Sequence, residues 1–311
     1  MSYRNVVLIG MICALVIMPI TGFTASMTKK TNAKKVTSTV KKKKPVLTLV
    51  AERKKGTTDA PTTFKHSAIV VYDETIKKNL LAIEQERVWP LASITKLATS
   101  LVLLDQTKNF KKIISIQAGD EVEGARLRVT AGTPITVREA LTITLIGSAN
   151  NTANALVRAT GLSRAAFIDR MNKKAKALGM MQTHFVDPSG IEPGNVSSAH
   201  DIVVLAQTAL KNPTIQSILL LKQYRWYNRK TRSYHTIKNT NKLLGNASFK
   251  VLGGKTGLLN EAGSNVVMRV SDGHHPLTIV VLGAQSLPDS FRAVHGLAVW
   301  AWKSFAWVKK K

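Results

Sequence analysis

The chain has 311 residues, with 45 Lys and Arg against 18 Asp and Glu, for a formal net charge of +27. Its 44% hydrophobic and 6% aromatic residues exclude a disordered or fibrous chain, and its length supports one large domain or two modest ones. A single cysteine excludes a disulfide framework and a thiolate zinc cluster, while the charge makes nucleic acid, a membrane surface or an anionic polymer the first partners to weigh.

Arg4 precedes an uncharged run from Val6 to Phe23 that contains Cys13, and Thr24, Ala25 and Ser26 follow it. With Pro19 and Gly22 near its end, this layout predicts a cleavable export signal over residues 1–25. The run is also long enough for a membrane anchor, and the lysines beyond it oppose translocation under the positive-inside rule. Residues 26–60 read as a basic low-complexity linker. Between Lys29 and Lys55 stand eleven Lys and Arg and one acid, Glu52, so like charges repel with few apolar residues to offset them. Such a segment serves as a spacer or as an electrostatic tether to an anionic surface.

Residues 61–311 read as one folded unit with a helical lobe, about 116–212, inserted in it. Ser67 to Tyr72 and Asn79 to Ile83 predict a strand hairpin. After Pro90, the spacing of Ile94, Leu97, Ala98, Leu101 and Leu104 predicts a helix. A helical stretch from Val137 to Leu210 is broken at Gly147, Gly161 and Gly179, with Ser163 as an N-cap. Strand character returns after Asn212-Pro213. Asn265 to Val270 and Leu277 to Leu282 flank a turn at Asp272-Gly273, and a last helix presents Phe291, Val294, Ala298, Ala301 and Phe305 on one face. The nearby Trp300, Trp302 and Trp307 suit core packing of that helix or a membrane-surface contact. Together these elements predict an α/β (α+β) fold, an antiparallel sheet flanked by helices with a helical lobe beside it.

Three short motifs carry chemistry. The first is Ser93-Ile94-Thr95-Lys96. An S-x-x-K match arises about once by chance in a chain this long, and Ser26 to Lys29 and Ser38 to Lys41 also match. Only Ser93 and Lys96 open an amphipathic helix, where positions i and i+3 share a face and the amine reaches the hydroxyl. Backbone N–H groups at that helix start are free for an oxyanion. The second motif, Ser148-Ala149-Asn150, follows the helix break at Gly147; alone it also suits a helix cap. The third, Lys255-Thr256-Gly257, offers an ammonium and a hydroxyl to a carboxylate, and its glycine allows a substrate backbone to approach a strand edge.

In this order the motifs resemble those of the penicillin-recognising serine acyl-transferases, and most nearly the low-molecular-mass D-alanyl-D-alanine peptidases. Arg87 to Ala92, Asp187-Pro188-Ser189-Gly190, Asn195 to Asp201, Asn239 to Leu244 and Lys255 to Gly263 extend the resemblance over about Ser67 to Gln285. It implies a β-lactamase/transpeptidase-like fold with the active site between the sheet and the helical lobe. A free lysine is roughly 3.4 pH units from neutral at pH 7, about 4.6 kcal/mol, and both desolvation and a second cation, Lys255, lower that cost. Lys96 then takes the proton of Ser93, which attacks the penultimate D-alanine carbonyl. The resemblance further implies that Ser148 relays a proton to the leaving amine and Asn150 holds the substrate backbone. It also implies that Lys255, Thr256 and Gly257 bind the substrate end, and that the N–H groups of Ser93 and Leu258 form the oxyanion hole.

A β-lactamase of class A needs an E-x-x-L-N base, and none of the acids between Asn151 and Gly254 (Asp169, Asp187, Glu192, Asp201) lies in that pattern. Penicillin is therefore expected to acylate Ser93 and stay. Gly161-Leu162-Ser163-Arg164-Ala165 lacks the second glycine of a nucleophile elbow, and the seven histidines show no metal spacing, so no cofactor or metal is expected. A nucleic-acid binder would leave the export signal and the three motifs unexplained, which argues against nucleic acid. The expected partners are peptidoglycan stem peptides, with β-lactams as covalent inhibitors and an electrostatic contact with the cell wall or membrane surface. The chain most resembles the short endopeptidases that cut cross-links; carboxypeptidase trimming of pentapeptide stems and non-catalytic wall binding are the alternatives. The expected location is the periplasm.

Overall fold

The computed structural model describes residues 48–61 and 67–310, so the signal segment 1–25 and the linker as far as residue 47 lie outside the described residues. In chain order come β1 (Thr48–Arg53), β2 (Ala68–Asp73), β3 (Lys78–Ile83), β4 (Trp89–Pro90), a 3₁₀ turn (Ala92–Thr95) and α1 (Lys96–Gln106). Next are β5 (Ile113–Ile116), β6 (Thr133–Thr136), α2 (Val137–Ile146), α3 (Asn150–Ala159), α4 (Arg164–Ala177), β7 (Val196–Ser197), α5 (Ala199–Ala209) and α6 (Pro213–Leu219). The chain then forms β8 (Gln223–Asn228), β9 (Ser233–Lys238), β10 (Lys250–Leu259), β11 (Gly263–Ser271), β12 (Pro276–Ala284), α7 (Leu287–Ser304) and β13 (Phe305–Lys310).

Five of these strands make one antiparallel sheet in the order β10-β11-β12-β2-β3. Alternation along each strand divides the side chains between two cores. Ile69, Val71, Val266, Met268, Ile279 and Val281 pack with Val294, Leu297 and Ala301 of α7 on one face. Ala68, Val70, Val267, Val280 and Leu282 point the other way, into the core that holds Leu97, Leu141 and Ile202 of α1, α2 and α5. α1 is the axis of this second core: every residue from Lys96 to Leu103 is buried. The expected breaks at Gly147, Gly161 and Gly179 separate α2, α3, α4 and the loop beyond, and the Ser163 side chain accepts from the Ala166 N–H.

Three expectations need correction. The basic linker does not extend to residue 60, because Thr48–Arg53 pairs antiparallel with Phe305–Lys310, from Thr48↔Lys310 to Arg53↔Phe305. Thr48 and Val50 supply strand propensity, Glu52 pairs with Lys310, and the Lys54 N–H donates to Ser304 O at 2.8 Å. The lysines on either side mask this short apolar segment in any count of composition. Second, Phe305 is not on the last helix: its φ of −112° and ψ of 150° are extended, and the chain turns there into β13. Trp300 and Trp302 on α7 donate their indole N–H to Thr58 O and His275 O, and Trp307 donates to Asp73 and stacks on His275 at 3.8 Å. All three tryptophans are thus held by the fold. Third, helix persists beyond residue 212 into α6, where Asn212 caps and Pro213 occupies the first turn. Among the described residues no helix is long and apolar enough to cross a membrane.

One buried charge cluster ties the sheet to α5. Glu74, just after β2, accepts from Arg269 Nε at 2.7 Å, Thr278 Oγ1 at 2.8 Å and Gln207 Nε2 at 3.0 Å. Burial pushes its carboxyl upward, but these hydrogen bonds outweigh that and bring it down to about 2. Glu74→Ala strands the buried Arg269 guanidinium and is expected to cost about 3–5 kcal/mol in urea unfolding at pH 7. Because the folded value lies below the unfolded one, that contribution is present above about pH 4.5 and is lost as pH falls toward 2. The gap between wild type and variant should close over that window; a gap independent of pH would refute the assignment.

Candidate active site

The 3₁₀ turn presents Ser93 because its neighbours point inward. Ala92, Ile94 and Thr95 are buried, while Ser93 faces a cleft of about 310 Å³. Ala92 takes a φ of 49°, a strained backbone for a residue with a side chain, so the surroundings must fix the turn. They do so from three sides. The Leu91 N–H donates to Asn195 O at 2.8 Å, and Asn265 Nδ2 donates to Pro90 O at 2.8 Å. At Gly190 a Cβ would stand 1.9 Å from Ala92 O, and at Gly257 one would stand 2.8 Å from Leu91 O and 3.1 Å from the Ser93 nitrogen. The glycine of the third motif therefore admits the nucleophile's own turn, while also lining the cleft.

Lys96 is fully buried, with Nζ 2.8 Å from Ser93 Oγ. The amine also donates to Asn150 Oδ1 at 2.7 Å and to the carbonyl of Ser189. The Asn150 amide is oriented by its other end, since Nδ2 donates to Glu123 O at 2.7 Å. A neutral lysine has two N–H bonds and one lone pair, and both acceptors here can only accept. The two protons are thereby spent, and the lone pair is left for the Ser93 hydroxyl. Burial and then the charge of Lys255 drive Lys96 well below the ordinary lysine range, against an opposing pull from Asp187.

Ser148 takes a φ of 59° between α2 and α3 and does not cap a helix, since the N-cap of α3 is Ala149. Its Oγ accepts instead from Lys255 Nζ at 2.8 Å, and that amine also donates to Thr256 O at 2.8 Å. Burial pushes Lys255 down to about 7. Lys255 is not among the residues that line the cleft, and its amine is turned to Ser148 and Thr256 behind the cleft wall. Thr256 Oγ1 donates to Thr240 Oγ1 at 2.7 Å, and both threonines line the cleft with Asn150, Gly257 and Leu258. Leu258 lies in β10 opposite Ser264, with its side chain exposed.

Seven of the eight sequence-designated residues thus meet at one cleft or its floor, with Lys255 directly behind it. Three contributors carry no role in the sequence reading. Asp187 is fully buried and accepts from the N–H groups of Ser189, Gly190 and Glu192 and from Asn195 Nδ2. Burial raises its carboxyl, but those hydrogen bonds outweigh it and hold it below the usual range. Asp187 thereby fixes the loop that aims Ser189 O at Lys96. Ser189 acts through its backbone, which no residue type announces, and Thr240 becomes visible only when β10 and residues 239–241 are placed side by side. Among the described residues no group of three His, Cys, Asp or Glu is arranged to hold a metal.

Residues 53–286 match the family model for D-alanyl-D-alanine carboxypeptidase. The chain is 36% identical over 226 residues to the D-alanyl-D-alanine endopeptidase of Haemophilus influenzae, covering 72% of this chain and 77% of that one. It is 30% identical over 257 residues to the protein of the same name from Escherichia coli, covering 81% and 82%. Among solved structures, the D-alanyl-D-alanine carboxypeptidase of Mycobacterium tuberculosis superposes with a TM-score of 0.73 at 25% identity, over 81% of this chain and 96% of that one. The Streptomyces K15 DD-transpeptidase gives 0.68 at 27% identity, over 76% and 96%.

The geometry makes the acid limb of Ser93 acylation depend on Lys96. Lys96→Met should slow acylation by a fluorescent penicillin by about 10²–10⁴-fold. In wild type the limb should lie well below the free-lysine range, since a depressed amine stays neutral to lower pH than a free one. Lys255→Met removes the cation that disfavours protonation of Lys96 and should move the limb to higher pH. Stopped-flow rates across pH decide it: an unmoved limb would mean the two lysines are uncoupled.

Proposed function

The chain belongs to the D-alanyl-D-alanine carboxypeptidase family of serine peptidases, and on that premise we propose that it hydrolyses D-alanyl cross-links of peptidoglycan through an acyl-enzyme on Ser93. It is a serine-type D-Ala-D-Ala peptidase, and the relatives from Haemophilus influenzae, Pseudomonas aeruginosa and Escherichia coli that it matches over most of its length are named endopeptidases. The observation that carries the mechanism is the Lys96 amine, held 2.8 Å from Ser93 Oγ with its two other directions filled by carbonyl oxygens.

Lys96 takes the hydroxyl proton as Ser93 Oγ attacks the D-alanine carbonyl carbon. The oxyanion that forms meets the N–H groups of Ser93 and Leu258, on the turn and strand that Gly257 brings together. The C–N bond breaks as a proton passes to the leaving amine by way of Ser148, which Lys255 orients. The hydroxyls of Thr256, Thr240 and Ser148 receive the carboxylate of the leaving side, with the Lys255 charge behind them. Asn150 has one amide proton left for a substrate carbonyl. Water, deprotonated by the same lysine, then releases the acyl group. β-Lactams enter the same path and stop at the acyl-enzyme.

The location follows from the sequence. The Val6 to Phe23 run supports export to the periplasm, and the lysines between Lys29 and Lys44 support electrostatic adhesion to the anionic wall. Deleting Lys29 to Lys44 leaves β1 intact and should weaken sedimentation with purified wall at low salt; unchanged sedimentation would refute adhesion by this segment.

Activity is tested with purified enzyme on cross-linked muropeptide dimers and on monomeric pentapeptide. Dimers should be cut to monomers, and Ser93→Ala should abolish both cleavage and penicillin labelling. Pentapeptide trimming with dimers untouched would make the enzyme a carboxypeptidase.

A further inference from the structure

A second cleft, of about 300 Å³, opens beside the catalytic one and is lined by Arg126, Arg128, His235 and Lys238. Three chain segments pass from the first cleft into the second. Gly124 and Ala125 line the catalytic cleft, and Arg126 and Arg128 the second. Ser148 and Asn150 line the catalytic cleft, while Gly147 and Ala149, which alternate with them, line the second. Thr240 lines the first and Lys238 the second. The second cleft therefore adjoins Ser148 and Thr240, at the end of the catalytic cleft where Thr256 bonds Thr240.

That end receives the leaving group in the mechanism above. A single D-alanine finishes there, at its carboxylate. The leaving group of a cross-link is a second stem peptide, which continues past that point and carries further carboxylates. The second cleft is basic: Arg126 lies 3.8 Å from Glu121, but Arg128 and Lys238 are exposed and have no acidic partner among the described residues. We propose that this cleft is the subsite for the departing stem peptide, with Arg128 and Lys238 pairing its carboxylates. The proposal rests on the endopeptidase reading and supplies the feature that favours cross-links over single stems.

The test compares kcat/KM for a cross-linked muropeptide dimer and for monomeric pentapeptide, in wild type and in the Arg128→Ala, Lys238→Ala double variant. Removing two cations that face carboxylates should lower the dimer-to-pentapeptide ratio roughly tenfold or more, chiefly through KM for the dimer. Salt should raise the wild-type KM for dimers more than for pentapeptide. A dimer amidated at the departing peptide's carboxylates, except the one beside the scissile bond that the catalytic cleft holds, should cost the unaltered enzyme a similar factor, which keeps the test decisive if the variant fails to fold. A ratio unchanged by both the variant and amidation overturns the subsite while leaving the endopeptidase reading intact. A wild type that leaves dimers untouched overturns both.

Discussion

A buried lysine amine pushed toward its neutral form is the constraint on which the rest of this structure depends. Water would keep Lys96 protonated, and freeing its lone pair at neutral pH would cost about 4.6 kcal/mol. The fold meets that cost by burying the amine completely and placing a second buried lysine where its charge disfavours protonation. Hydrogen bonding then gives the amine a direction. With Asn150 Oδ1 and Ser189 O accepting its two protons, the lone pair can face only Ser93. The neutral form and its aim thus come from the same burial, and neither would survive if water reached the site.

The scaffold around the site supplies that exclusion. α1 starts at Lys96 and is buried from there to Leu103, so the lysine is set at the edge of the core with no exposure to water. Asp187 holds the loop over Lys96 through hydrogen bonds within its own turn. Its negative charge pulls Lys96 the wrong way, yet burial and Lys255 prevail. Gly190 and Gly257 allow loop and strand to touch the nucleophile turn at distances that a side chain forbids. The positive φ values of Ala92 and Ser148 show strain stored beside Ser93 and at Ser148 and absorbed by the packing around them.

Much of this was legible in the chain. Strand and helix patterns located four strands of the five-stranded sheet (β2, β3, β11 and β12), α1 and α7, and glycine breaks separated α2, α3 and α4, because those signals are local. The three motifs brought Ser93, Lys96, Ser148, Asn150 and Thr256 to one cleft. What stayed hidden was non-local or carried by backbone. β1 is stabilised by a partner at the opposite end of the chain, and its flanking lysines dominate composition there. Ser189 contributes a carbonyl, and Thr240 acts by lying beside Thr256. Lys255 could be named as a cation, but its place behind the cleft follows from its hydrogen bonds to Ser148 and Thr256 O.

The protonation state of Lys96 is the most direct point of attack. In protein carrying ¹³C at lysine Cε, the Lys96 resonance can be assigned by its loss in Lys96→Met and followed across pH. A neutral-amine shift at pH 7 that moves to the ammonium position only on acidification is the predicted result. An ammonium shift that persists to the free-lysine range would contradict the account.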